Sequence, residues 1–143
     1  MFSEDAVTDT RIRLVEPREP ISEADVTRLV HAFYGGVRAD DVLGPVFEAR
    51  LAGRWDAHLG KMVDFWSSVA RGTGRYQGKP HVAHGGMGLD EAIFSRWLAL
   101  FGETAHDVCA PDAAAFFVDR AYRIADSLMI GLGIGPKALR LPG

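Results

Sequence analysis

The chain opens without a periodic run. Ile12, Leu14 and Val15 form a brief apolar patch among mixed charges, and Pro17 and Pro20 interrupt it, so residues 1–20 are expected to be a flexible arm. From Ile21 the pattern changes. Val26, Leu29, Val30, Phe33, Tyr34 and Val37 recur at three- and four-residue intervals, and Ser22 followed by Asp25 has the spacing of a capping box, which predicts an amphipathic helix. Gly35 and Gly36 weaken it locally, by up to about 1 kcal/mol each relative to Ala. Asp40, Asp41 and the run Leu43-Gly44-Pro45 break the period, so Phe47 is expected from an irregular or short helical segment. A second helix is predicted over 55–71, with His58, Met62, Phe65, Trp66 and Val69 on one face; His58 is the polar member of that stripe. Gly72-Thr73-Gly74 ends it, and the segment to Leu89 reads as loop with at most a short helical turn over 81–84. A long helix over 90–106 places Ile93, Phe94, Trp97, Leu98 and Phe101 inward. Pro111 suits the first turn of a last helix, whose apolar face is Phe116, Phe117, Ala121, Ile124, Leu128 and Met129. Gly131, Gly133, Gly135 and Pro136 are expected to stop it and leave 133–143 as a flexible tail. No segment alternates convincingly as a strand. The prediction is an all-α fold with one helical domain over 21–132.

Composition narrows the function classes. At 143 residues the chain fits one domain, large enough to bury about two thirds of its unfolded surface and to enclose a cofactor. A net charge of −3 gives no general electrostatic case for nucleic acid or an anionic membrane. Cys109 is a single cysteine, which excludes an intrachain disulfide or a cysteine-rich zinc site. No basic leader and no apolar stretch long enough to span a bilayer is seen, so a cytoplasmic location is expected.

The candidate chemistry lies in two histidines. His58 sits on an apolar helix face, and His84 closes the run Tyr76-Gln77-Gly78-Lys79-Pro80-His81-Val82-Ala83-His84, with Gly85-Gly86 after it. A haem pocket requires one nitrogen ligand for the iron, a low-dielectric wall, and hydrogen-bond donors on the opposite face. A histidine on a short, glycine-flanked segment can be aimed at a metal, and its second ring nitrogen then needs an orienting partner. Tyr34 and Trp97 offer a hydroxyl and an indole N–H on large apolar bodies, although both residue types also serve as ordinary core aromatics. Phe33, Phe47, Met62, Phe65 and Trp66 suit either reading. A non-haem metal site built from His58, His81, His84 and His106 is a further alternative; its tight pair is His81-x2-His84, whereas zinc needs three or four controlled ligands.

The order of these residues carries more information than any one of them. Phe33-Tyr34, then Leu43-Gly44-Pro45-Val46-Phe47, then Trp55 with His58 and Phe65-Trp66, then Tyr76-x-Gly78-x-Pro80-x3-His84, then Phe94-x2-Trp97-Leu98-x-Leu100-Phe101 resembles a truncated haemoglobin, and within that family group III. The likeness covers about residues 21–132. It implies a two-over-two helical sandwich enclosing haem b, with His84 as proximal iron ligand, Phe33 and Tyr34 as the paired aromatics of one helix, and His58 as the distal histidine. It further implies Met62 at the distal position one turn later, Trp97 as indole donor, Phe47 against the haem edge with Phe65, Trp66 and Phe94 in the haem wall, and Lys61 beside a haem propionate. Two features depart from the family pattern: His81 stands three residues before the expected ligand, and the N-terminal arm is long. The glycine pairs of the other truncated groups do not occur together, in keeping with group III.

The function this resemblance implies is binding of dioxygen and other diatomic ligands at a five-coordinate iron. Turnover of dioxygen against nitric oxide or a related reactive species, with an external reductase restoring the iron, is the leading expectation. Tyr34 and Trp97 would stabilise negative charge on bound dioxygen, and His58 would gate or donate a proton. Peroxidase-like turnover uses the same groups. Oxygen storage or sensing without turnover is the alternative from a different class.

Overall fold

A computed structural model of the protein describes residues 16–135. Of the arm expected at 1–20, residues 1–15 lie outside the described residues, as do residues 136–143 of the tail expected at 133–143 and the side chains of His81 and Val82. Six helices are seen among the described residues: α1 (Glu23–Ala39), α2 (Leu43–Leu51), α3 (Trp55–Arg71), α4 (Pro80–His84), α5 (Glu91–Val108) and α6 (Pro111–Leu132). The chain is all-α, as its periodicity predicts.

The helix ends follow from local chemistry. The Ser22 hydroxyl accepts from the Asp25 N–H at 3.0 Å and the Asp25 carboxylate accepts from the Ser22 N–H at 3.0 Å, so the capping box starts α1. The helix then continues through Gly35 and Gly36 to Ala39, further than the two glycines suggest. The helical period does break after Ala39, and Phe47 then comes from a short helix, α2, of nine residues. Asp40 holds its first turn by accepting from the N–H groups of Val42 at 3.0 Å and Leu43 at 2.8 Å. Pro45 falls in that first turn, where its missing N–H costs no intrahelical bond. Gly44 is required there for space, because a Cβ would stand 3.0 Å from the Arg38 carbonyl oxygen and 3.3 Å from that of Val37.

Helix α3 ends at Gly72, whose φ of 68° supplies the left-handed cap. Asp90 caps α5 by accepting from the Ile93 N–H at 2.9 Å. Pro111 opens α6, as its position predicts, but Gly131 does not stop that helix; the left-handed Gly133 does, at φ 72°. Residues 16–20 run against the start and middle of α6. The Arg18 N–H donates to the Asp112 carboxylate at 2.6 Å, and Glu16 pairs with Arg120 at 3.1 Å.

Helices α1 and α3 pack together, α5 and α6 pack together, and the contact of α1 with α5 joins the two pairs. The core sits at that junction. Phe33, Phe101 and Phe117 are fully buried with Leu29, Val26, Val30 and Val37. Phe101 lies between two indoles, stacked on Trp66 with centroids 5.1 Å apart and on Trp97 at 5.4 Å, while Phe33 meets Phe101 edge-on at 5.0 Å. Burying each such ring contributes about 1.5–3 kcal/mol, and each well-placed ring pair about 0.5–1.5 kcal/mol more. No helix among the described residues is long and apolar enough to cross a membrane.

Candidate functional site

The apolar stripe of α3 is only partly absorbed by this core. Trp66 is buried, but His58, Met62, Phe65 and Val69 are half-buried. The reason is that the stripe faces a cavity of about 360 Å³, within the range of small-molecule sites. Tyr34 of α1, Phe47 of α2, His58, Lys61, Met62, Phe65 and Trp66 of α3, His84 of α4, and Phe94 and Trp97 of α5 all line it. Residues spread over five helices and predicted to form one site therefore converge on one volume.

Phe33 is the exception among the expected site residues: it does not line the cavity. It is 1% exposed and lies behind the wall, edge-on to Tyr34 at 4.9 Å and to Trp97 at 5.4 Å. It supports two rings of the cavity without lining it. Conversely, Arg50, Arg54, Met87 and Leu89 line the cavity and were not singled out by the sequence pattern, whereas Tyr76, which opens the motif that ends at His84, lines it too. Arg50 and Arg54 lie in or beyond the last turn of α2, where a basic residue is otherwise explained by the helix dipole, so periodicity gives no signal for them.

The two histidines differ in their environments. His84 ends α4, and its Nδ1 lies 2.6 Å from the carbonyl oxygen of Pro80, four residues earlier. A carbonyl can only accept, so Nδ1 carries the proton and donates, which leaves Nε2 as the lone-pair nitrogen. This is the orienting partner that a metal-binding histidine needs. His58 has the opposite condition: its Nε2 is buried and has no hydrogen-bond partner among the described residues. Burial first, then the electrostatic influence of the neighbouring His84 and Lys61, pulls its pKa down to about 4, so it is neutral at pH 7. Tyr34 packs edge-on against the His58 ring at 4.8 Å, and burial holds its phenol protonated, well above the usual range.

The charge around the cavity is one-sided. Arg50, Arg54 and Lys61 line it, and among the described residues no Asp or Glu does. The donor set therefore fits haem on three grounds: one imidazole with a free, oriented nitrogen, a second buried nitrogen without a partner, and aromatic walls edged by cations that suit two propionates. The non-haem metal alternative finds no such support. Among the described residues no three His, Cys, Asp or Glu side chains gather where a metal ion could be held, and His106 is exposed far along α5. The side chain of His81 lies outside the described residues.

An all-helical chain with two layered helix pairs around an apolar, histidine-bearing cavity has the architecture of a small globin. No family model matches the chain. The group 3 truncated hemoglobin ctb of Campylobacter jejuni is 31% identical over 111 residues, covering 75% of this chain and 87% of that protein. The crystal structure of the group III truncated hemoglobin from Campylobacter jejuni superposes with a TM-score of 0.75 at 29% identity, covering 81% of this chain and 94% of that one. The chain belongs to the group III truncated haemoglobins. Membership implies a haem cofactor and the binding of small diatomic ligands.

Proposed function

We propose that the chain binds haem b, with His84 as the axial ligand, and turns dioxygen against nitric oxide or a related reactive species, a separate reductase returning the electrons. The observation that carries this reading is the asymmetry of the two imidazoles. His84 has Nδ1 committed to the Pro80 carbonyl, whereas the buried Nε2 of His58 lacks any partner. A buried polar atom left alone costs about 1–3 kcal/mol. A site that tolerates that cost does so where a ligand supplies the missing bond.

When bound, haem supplies an iron that takes up a diatomic ligand and changes oxidation state. The protein's residues do the rest. His84 Nε2 would hold the iron, with the ring oriented by the Pro80 carbonyl. Tyr34, Trp97 and His58 would offer an O–H, an indole N–H and a ring nitrogen to the ligand, inside an apolar wall of Phe47, Met62, Phe65, Trp66 and Phe94. Preorganised donors in such a dry site favour developing negative charge without reorganising. Lys61 sits beside the stripe and neutralises a propionate.

Expression with a haem precursor tests the first half. The purified protein is expected to show an intense porphyrin absorption band, His84→Ala to lose stable haem retention, and His81→Ala to keep it. The reverse pattern moves the ligand to His81. Catalytic nitric oxide consumption in oxygen with a reductase tests the second half. A single stoichiometric burst without turnover favours oxygen storage or sensing, and faster consumption of peroxide than of nitric oxide favours a peroxidase-like role.

A further inference from the structure

Helix α4 has five residues, too few to hold itself through its own ladder, yet it carries His84. Its C-terminal end is held from outside. Arg50, near the end of α2, donates Nη1 to the Ala83 carbonyl at 2.8 Å and Nη2 to the Gly85 carbonyl at 3.0 Å. Those two carbonyls flank His84 on either side. The chain then turns away at Gly86, in the left-handed region at φ 80°, where a Cβ would lie 3.8 Å from Arg50 Nη2.

The other end of the clasp is also fixed. The Arg50 carbonyl accepts from Arg54 Nη2 at 2.5 Å, and α2 itself is pinned through Asp40 to Arg96 of α5 at 2.6 Å. The guanidinium forms no ion pair with a carboxylate among the described residues, although it borders a cavity without acidic groups. Its planar fork is committed to backbone oxygens instead. That fork spans two acceptors with fixed geometry, which the single ammonium of a lysine does not reproduce.

We propose that Arg50 is a positioning residue for His84: the ring is fixed by Pro80, and the backbone on both sides of it by Arg50. The inference rests on the reading of His84 as the axial ligand. Truncating Arg50 leaves the imidazole and its Pro80 bond in place but frees the peptide planes that set the direction of the ring.

The test uses the haem-loaded protein and its Arg50→Ala and Arg50→Lys variants, with Arg123→Ala as control, an exposed arginine of α6 that pairs with Asp119 and does not line the cavity. In the ferrous state the iron–histidine stretching band is expected to shift and broaden in Arg50→Ala, to stay displaced in Arg50→Lys, and to be unchanged in Arg123→Ala. In the haem-free proteins, amide exchange over 81–86 is expected to be about tenfold faster in Arg50→Ala, since two hydrogen bonds from a charged donor are lost. An iron–histidine band identical to wild type in Arg50→Ala overturns the proposal. So does faster haem loss with an unchanged band, which would make Arg50 a propionate contact only. A wild-type chain that takes up no haem removes the proposed function itself, and the exchange arm then decides separately whether Arg50 orders the segment.

Discussion

Phe101→Leu separates ring geometry from simple burial in the core. Phe101 is 1% exposed and has three ring partners, Trp66 and Trp97 stacked at 5.1 and 5.4 Å and Phe33 edge-on at 5.0 Å. Leucine keeps an apolar side chain in most of the space, so the principal loss is of the three ring contacts. At about 0.5–1.5 kcal/mol each and allowing for incomplete additivity, the expected cost is about 2 kcal/mol, against about 3–5 for truncation to Ala. Phe116→Leu is the comparison. That ring is also buried, but it has one ring neighbour, Phe117 at 5.7 Å, and a cation, Arg120 at 4.2 Å, so about 1 kcal/mol is expected. Urea unfolding of the haem-free proteins, followed by far-ultraviolet circular dichroism, measures both. The stack also sets the plane of Trp97, so Phe101→Leu is expected to speed oxygen release while Phe116→Leu leaves it unchanged. Equal destabilisation by the two substitutions would refute the assignment of special weight to the stack.

The other predictions address the site, its pH response and its glycines. Tyr34→Phe and Trp97→Phe are each expected to speed oxygen release by about 10- to 100-fold, the loss of a charge-assisted hydrogen bond worth about 1.5–3 kcal/mol; stopped-flow release rates equal to wild type in both would remove them from the ligand site. The Arg96 guanidinium, then the N–H groups of Leu43 and Val42, hold the Asp40 carboxyl down at about 2 from its ordinary 3.8. A depressed folded-state pKa stabilises above the unfolded value and is lost as the pH falls through the folded one. Wild type is therefore expected to lose stability more steeply than Asp40→Asn between about pH 4 and 2, and parallel melting curves across that window would contradict this. Gly44→Ala is expected to destabilise by about 1–3 kcal/mol, because backbone oxygens 3.0 and 3.3 Å from the new Cβ cannot move aside as a side-chain end can. Gly35→Ala, with nothing within 4 Å in mid-helix, is expected to stabilise by up to about 1 kcal/mol; thermal melts check both, and the same sign for the two substitutions would show the packing argument to be wrong.

What could be read from the sequence was whatever rests on local periodicity or on spacing within one element. The capping box at Ser22, the stripe of α3 and the proline start of α6 are of that kind, and each appears in the structure. What could not be read depends on contacts between elements. Pro45 looks like a helix breaker until Asp40 is seen to fasten the preceding turn, which moves the proline to a harmless position in α2. Phe33 carries the same apolar signal as Tyr34, its neighbour in the chain, and only the packing of α1 on α5 puts one behind the wall and the other in it. The partner of His84 Nδ1 is a backbone carbonyl, which has no sequence identity to read. Arg50 acts 33 residues from Ala83, a distance that no periodicity spans.

These contrasts bear on how a small chain supports a cavity at all. The stripe of α3 would ordinarily be the strongest source of burial in a helix of that length, yet four of its five members are left half-buried, and His58, Met62 and Phe65 among them line the cavity. Stability must then come from the layer behind, where Phe33, Phe101 and Phe117 are sealed. Trp66 and Trp97 belong to both layers, facing the cavity on one side and stacking on Phe101 on the other. Substitutions at those shared rings are expected to move stability and ligand release together. Substitutions at Met62 or Lys61, which meet the cavity without a place in the ring stack, are expected to change ligand or haem retention with little effect on unfolding of the haem-free chain. A chain in which Met62→Ala destabilised as much as Phe101→Leu would place the load-carrying core in the cavity wall itself, and the division between supporting layer and binding layer would fail.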